Sequence, residues 1–337
     1  MPSLWQQLCD LEVRIGDWST QRRELAVSPQ FTRVTTAVVL HCGGDVGQGE
    51  DVTYTAPDHD EFPTSEMLAG TWSLHDFSRR LDELELWPAG PPQMDASRDY
   101  RRWAFESAAL DLALRQAGLS FAEALGRSYA PVRFVASTRA DIEPYRALNP
   151  ALEFKLDADE GWDDELLAKL AATDRVRVVD FKAYYRGTSV DLEPDPVLYR
   201  RVKEALPDAV LEDAWLEGEC GAVLADAAGR LSFDAPIHAW SDVKKLSVEP
   251  KWLNVKPSRF GTLRGLLDCI EECEQRGIRM YGGGQFELGP GRTQIQKIAS
   301  VFYPDGPNDV APSEYNDGPA RPGLPTSPLP AFEGPGF

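Results

Sequence analysis

The spacing of apolar and polar positions changes character near residue 128 and divides the chain there. Before that point, FTRVTTAVVLHC (31–42) is rich in β-branched residues and predicts a strand. CGGDVGQGEDVTY (42–54) predicts a glycine turn and then another strand, and the first 60 residues as a whole read as strands. SLHDFSRRLDELELW (73–87) and RRWAFESAALDLALRQAG (101–118) carry apolar residues at helical spacing, the second closed by Gly118. SFAEALG (120–126) adds a short helix, so residues 1–128 predict an α+β unit.

From 129 to 312 short apolar runs alternate with helical stretches. The strand candidates are VRFVAS (132–137), LEFKLD (152–157), VRVVDFKAY (176–184), AVLEDA (209–214), RLSFDAP (230–236), WLNVKPS (252–258), IRMYGGG (278–284) and, weakest, NDVAP (308–312). Helical patterns fall at 163–172, 195–206, 262–277 and 291–302. Such alternation implies right-handed βαβ units and a parallel sheet. Seven or eight strands in series predict a closed (β/α) barrel of the TIM type. No GxGxxG follows the first strand, and GGGQFELGPG (282–291) lacks the Lys-Ser/Thr of a P-loop, which argues against nucleotide folds. Residues 313–337, dense in Pro and Gly, predict an extended or mobile tail.

Composition narrows the function classes. A formal net charge of −19 and the absence of a Lys/Arg block argue against nucleic acid, since phosphate binding requires a basic face. No segment approaches the roughly 20 apolar residues of a membrane span, and the polar start MPSLWQQLCDLEVRIGDW lacks a signal-peptide apolar region, so a cytoplasmic protein is expected. Five cysteines without CxxC make no disulfide framework; Cys269 and Cys273 share a helix face as small core or surface residues. The four histidines have no zinc-ligand spacing.

Barrel chemistry projects from the C-terminal ends of the strands. Those ends carry Lys155 and Asp157, Asp180 and Lys182, Glu212 and Asp213, Asp234, Lys256, and then Gln285 and Glu287. Charged groups inside apolar strands must be paired, ligate a metal or change protonation state. Asp180, Glu212 and Asp234 on successive strands suit an oxygen shell for Mg²⁺. Buried pairing with Lys155, Lys182 and Lys256 accounts equally well for the spacing. A lysine here is either a general base or a charged anchor for a substrate carboxylate.

The motifs VVDFK, LEDAW and SFDAP, followed by NVKPS, resemble those of the enolase superfamily, in its muconate-lactonizing and o-succinylbenzoate-synthase-like branch. Glu212 to Asp234 and Asp234 to Lys256 are each 22 residues apart, one βα repeat. GQGEDVTY resembles the glycine-rich turn of that family's capping domain, and AFESAALDLALRQAG its long capping helix. The resemblance implies a capping domain (1–128) joined by the tail 313–337, and a catalytic barrel (129–312). It further implies Mg²⁺ held by Asp180, Glu212 and Asp234, and an acid/base lyase or isomerase acting on a small carboxylate. Lys155, Lys256 and Lys182 would serve catalysis, and Asp157, Ser258, Gln285 and Glu287 substrate binding. The resemblance is compatible with a homo-oligomer.

Three positions depart from the family's pattern. EFKLD has one Lys where the family has Lys-x-Lys, so either Glu153 or Asp157 stands for the other. VVDFK has Lys182 where Asn is usual, on the face of Asp180, and its ammonium could take over part of the metal's charge role. Glu-Asp-Ala replaces Glu-Asp-Pro on strand four. A non-catalytic binding or scaffold module therefore stays open beside the enzyme, as does metal binding itself. Specificity is expected from cap loops near Gly16–Ser28 and Asp51–Phe62.

Overall fold

The computed structural model describes residues 2–64, 67–139, 141–187, 191–316 and 319–337. The chain opens with a helix, α1 (Leu4–Leu8), where a strand was expected. Ser3 and Gln6 satisfy each other's backbone N–H groups, and Leu4, Trp5 and Leu8 are buried. A reciprocal cap with a buried face is enough to wind one short turn.

β1 (Glu12–Ile15) pairs with β5 (Gly70–Ser73), while β2 (Asp17–Ser28), β3 (Phe31–Cys42) and β4 (Asp45–Asp51) form an antiparallel meander. Gly16–Ser28, expected as a loop, is therefore largely a long strand. Gly43 and Gly44, at φ 59° and 99°, make the tight turn between β3 and β4. Gly47 and Gly49 do something else. They lie within β4, where a Cβ would come 2.4 Å from the Ala108 carbonyl oxygen and 2.1 Å from that of Ala104. The missing side chains let β4 lie directly on α3 (Ser97–Ala117), which corrects the reading of GQGEDVTY as a turn.

α3 begins one turn earlier than its periodicity predicts and ends at Gly118, φ 67°. α2 (Leu74–Asp82) is shorter than predicted, and α4 (Phe121–Ala124) completes the cap. Trp87, beyond α2, stacks on the buried Arg101 guanidinium at 3.6 Å from the ring centroid. Arg101 also pairs with Asp51 at 2.9 Å.

The second unit is a parallel sheet in chain order: β6 (Val135–Thr138), β7 (Glu153–Asp157), β8 (Val176–Asp180), β9 (Val210–Glu212), β10 (Leu231–Phe233), β11 (Trp252–Val255) and β12 (Arg279–Gly282). The eighth position is a remnant. Asn308 bridges to Phe134 and Asp309 to Gly283, joining the first strand to the last. Asn308 stands in for missing ladder bonds: its side-chain oxygen accepts from Gly282 N at 2.7 Å and its amide donates to the Arg133 carbonyl at 2.8 Å.

The predicted helices appear as α6 (Asp164–Thr173), α7 (Pro196–Ala205), α10 (Leu263–Arg276) and α11 (Pro290–Phe302). Three short ones, α5 (Glu143–Leu148), α8 (Gly218–Leu224) and α9 (Trp240–Val243), fill intervals too short to show a period. Cys269 and Cys273 are both fully buried on α10. No helix among the described residues is long and apolar enough to cross a membrane.

The tail is ordered along much of its length. Leu329 bridges to Val132 and Gly336 to Ser120. Phe337 packs on Phe121 at 4.8 Å and donates its N–H to Asp111 on α3 at 2.7 Å.

Two charged residues of the cap clamp the loop after β12. Glu50 on β4 accepts N–H bonds from Leu288, Gly289 and Gly291 at 2.7–3.0 Å, where free amides at the start of α11 favour an anion. Arg33 on β3 donates to the Gln285 and Phe286 carbonyls at 2.8 and 3.1 Å and to those of Val52 and Thr53 at 2.7 Å.

Two outcomes follow from this packing. Gly49→Ala should cost about 1–3 kcal/mol or more through overpacking against α3, read as a fall in the thermal midpoint. His59 is buried and neutral: Thr36 donates to Nδ1 and Nε2–H donates to the Thr53 carbonyl, each at 2.9 Å. Burial holds its pKa below the model-peptide value, so its contribution is present above about pH 6.5 and is lost as pH falls through the folded pKa. His59→Gln should therefore flatten the acid limb of a pH–stability curve relative to the parent protein.

Candidate active site

Residues two apart on a strand share a face, so Val178 with Asp180 and Val210 with Glu212 point into the barrel. Val178, Val210 and Tyr281 form a small apolar cluster on that interior. Above it the chain places carboxylates. β8 ends at Asp180 and β9 at Glu212, and Asp213 and Asp234 follow β9 and β10; all four are fully buried. Asp213 has a left-handed backbone, φ 50°, which turns its carboxylate to accept N–H bonds from Asp234 (2.8 Å) and Ala235 (2.9 Å). It thereby staples the end of β9 to the end of β10.

Cations meet these anions from both sides of the barrel. Lys155, from β7, contacts Glu212 directly and lies 3.4 Å from Asp180 and 3.6 Å from Asp309. Lys256, just past β11 on the opposite wall, is 2.9 Å from Asp234. Arg259 approaches the same carboxylate at 3.1 Å, and Tyr185 donates to it at 2.8 Å. Tyr281 donates to Glu212, whose oxygens also lie 3.3 Å from the Asn254 amide. Lys182, with φ 54°, folds back over Asp180: its backbone N–H donates to that carboxylate at 3.0 Å and its ammonium contacts it directly.

Protonation follows from the balance of burial against neighbouring charge. Burial raises Asp180, but Lys182 and Lys155 outweigh it and hold the carboxyl well below the usual range. Asp234 is likewise held low against burial, by Arg259 and Lys256. Glu212 is pushed up to about 8 by burial, with Asp180, Asp234 and Asp213 adding to it. Asp213 is pushed up to about 7 by burial and by Asp234 and Asp180. Burial alone would lower Lys155 and Lys256. Glu212 and Asp180 hold Lys155 well above its ordinary value, and Asp234 does the same for Lys256.

The sequence-derived residues separate by position. Asp180, Glu212, Asp234, Lys155, Lys182 and Lys256 come together. Asp157 stands at the rim, level with Asp180 in the sheet register, bound by Arg139 (2.7 Å) and 3.3 Å from Lys182. Glu153 is held instead by Arg133 and Arg177 and takes no part in the cluster. Gln285 reaches it indirectly: with its amide oxygen accepting from Arg259 Nε (2.7 Å), its nitrogen donates to Tyr54 of the cap (3.3 Å). Glu287 shapes its own loop, accepting from Gln285 N at 2.7 Å with Arg292 at 3.4 Å. Ser258 is buried in the turn Pro257–Phe260 and joins no hydrogen bond of the cluster among the described residues.

Arg259, Tyr185, Tyr281, Asn254 and Asp309 were missed as site residues. Asn254 carried a usable signal, a polar residue two before Lys256 in an apolar strand. Arg259 and Tyr185 lie beyond strand ends, where only the fold brings them inward.

Whether these residues suit a metal is judged from their chemistry. Asp180, Glu212 and Asp213 bring carboxylate oxygens within 4.8 Å of one another. Buried oxygens of this kind suit a hard divalent cation, and burial, with the neighbouring carboxylates adding to it, pushes Asp213 up to about 7 and Glu212 up to about 8. The residues fit. Asp213, not Asp234, completes this compact group.

A cap of meander and long helix over a (β/α) barrel is a fold this chain shares with solved structures of enolase-superfamily proteins. The chain belongs to the family described as "Domain of unknown function (DUF8230)": its C-terminal domain matches residues 128–317 and its N-terminal domain residues 6–124. Among curated proteins no sequence relative matches. Solved structures resembling the chain include muconate cycloisomerase from Pseudomonas fluorescens (20% identity, 89% of this chain and 87% of that one, TM-score 0.63). Another is muconate lactonizing enzyme from the same organism in complex with muconolactone (20%, 88% and 88%, 0.64). An enolase-superfamily member from Listeria innocua is also similar (17%, 90% and 86%, 0.62).

Lys155→Met strips three carboxylates of their shared cation and should destabilise the fold by about 3–5 kcal/mol. Lys155→Met combined with Glu212→Gln should recover part of that loss in denaturant unfolding, because one buried charge disappears with its partner.

Proposed function

We propose that the barrel mouth is the active site of an acid/base enzyme that removes the α-proton of a small carboxylate, passing through an enediolate. The observation that carries this reading is the placement of Lys155 and Lys256 on opposite walls, both reaching the same floor of buried carboxylates. Asp180, Glu212 and Asp213, with Asp234 beside them, would hold Mg²⁺. When bound, the ion supplies positive charge that makes the α-proton acidic.

The two lysines are held differently, and this separates their roles. Lys155 lies among three carboxylates and is a fixed ammonium, suited to the negative charge that develops on a substrate oxygen. Among the described residues Lys256 has a single carboxylate partner, Asp234, which it shares with Arg259 and Tyr185. It is the lysine that can exchange a proton without dismantling the floor. Its raised pKa makes it an ammonium at rest, so neutralisation of Asp234's influence must accompany its service as base. Arg259 and Tyr185, holding Asp234 in place, position it.

Resemblance to the o-succinylbenzoate-synthase branch favours β-elimination of water as the outcome. Epimerisation and cycloisomerisation use the same first step, and two similar structures bear the names muconate cycloisomerase and muconate lactonizing enzyme. A binding-module reading draws on one observation, the ammonium of Lys182 already seated on Asp180.

The test is exchange of α-protons with D₂O, followed by NMR with Mg²⁺ present, across succinyl-bearing and other small carboxylic acids. Lys256→Ala should lower exchange about 10²–10⁴-fold with the circular dichroism of the fold retained. Undiminished exchange would move the base elsewhere, and no exchange by the parent protein with any acid would favour the binding module.

A further inference from the structure

We propose that Lys182 is a built-in counter-cation that plugs the divalent-metal position at Asp180, so that a metal ion binds only when this side chain swings out. The inference rests on the preceding reading of Asp180, Glu212 and Asp213 as metal-holding oxygens.

Three features of the chain carry it. Lys182 holds one carboxylate twice, through its backbone N–H at 3.0 Å and through its ammonium. That double grip depends on a left-handed backbone, φ 54°, which a residue with a Cβ adopts only when its surroundings impose it. The positive φ folds the residue back so that both its backbone N–H and its ammonium reach Asp180 at the end of β8.

Charge balance is the second feature. Four fully buried carboxylates, Asp180, Glu212, Asp213 and Asp234, face three buried cations, Lys155, Lys256 and Arg259. Lys182 is the fourth positive charge, and a divalent ion taking its place would bring one charge more to the same carboxylate oxygens. An ammonium and a hard cation seek the same carboxylate oxygens, so they compete.

The third feature is access. Lys155 is sealed in the floor, whereas the Lys182 side chain is 13% exposed. It stands beside Asp157 at 3.3 Å and over the Tyr185 ring at 5.2 Å from the centroid. Asp157, also at the rim, offers the ammonium a second anion as it leaves Asp180. The missing strand-two lysine and the added strand-three lysine thus become one feature: Asp157 and Lys182 face each other across β7 and β8.

Titration of the apoprotein with Mg²⁺ by calorimetry, and with Mn²⁺ by electron paramagnetic resonance, tests this without any substrate. Lys182→Asn removes the ammonium and keeps a residue that tolerates positive φ; Lys182→Arg keeps the charge. At least tenfold tighter binding by the Asn variant than by the parent, parent-like binding by the Arg variant, and loss of binding on adding Asp180→Asn are expected. Equal affinity of parent and Asn variant, whether both bind or neither does, would overturn the plug. That outcome leaves Lys256-dependent proton exchange to stand or fall by its own assay. Conversely, tighter metal binding by the Asn variant with no exchange on any acid would retain the plug and remove the enzyme.

Discussion

Four carboxylates taken out of water at the ends of β8, β9 and β10 impose the main constraint on this molecule. Desolvated anions must be met by cations or protons, and the structure uses both. Lys155, Lys256, Arg259 and Lys182 arrive from different walls and loops, while Glu212 and Asp213 rise toward neutral pKa values because burial, and then the neighbouring carboxylates, disfavour their charged forms. The cap follows from the same demand. Tyr54 and Gln285 close over Arg259, and Arg33 and Glu50 hold the loop that carries Gln285.

This arrangement joins fold and chemistry more tightly than a barrel with interchangeable loops would. Glu50 is an element of the cap sheet, yet its partners are the first amides of a barrel helix. Phe337 is at the end of the chain, yet it packs against Phe121 and bonds to Asp111 of the cap helix. The two units share a seam of buried charge and aromatic contact, and the candidate site lies directly beneath it.

Within the cluster, the number of carboxylates around each lysine separates groups that look alike in sequence. Lys155 lies among three anions, Lys256 contacts Asp234, and Lys182 sits on Asp180 at the rim, and the roles proposed for them as fixed charge, proton carrier and movable cation rest on those surroundings. Type of residue alone does not distinguish them; the local field does.

Much of the architecture was legible from periodicity, because a strand between the barrel interior and an outer helix layer must be largely apolar and a helix on a sheet must be amphipathic. The long helix ending at Gly118, the succession of barrel strands and the charged residues at their ends all follow from that rule. The spacing of Asp180, Glu212, Asp234 and Lys256 placed them on neighbouring strand ends for the same reason. Other features were beyond it. Gly47 and Gly49 read as a turn because composition does not register that a helix backbone lies against them. NDVAP (308–312) was legible only as the weakest strand, and the structure reduces it to bridges at Asn308 and Asp309 with Asn308 side-chain bonds that no period registers. Arg259 and Tyr185 enter the cluster from beyond the strands, and Lys182 turns back on Asp180 through a positive φ. Local sequence dictates which residues can lie on one strand or helix face. Which charges meet across the barrel is decided by tertiary structure, because a buried ion's partner comes from wherever the chain returns through space.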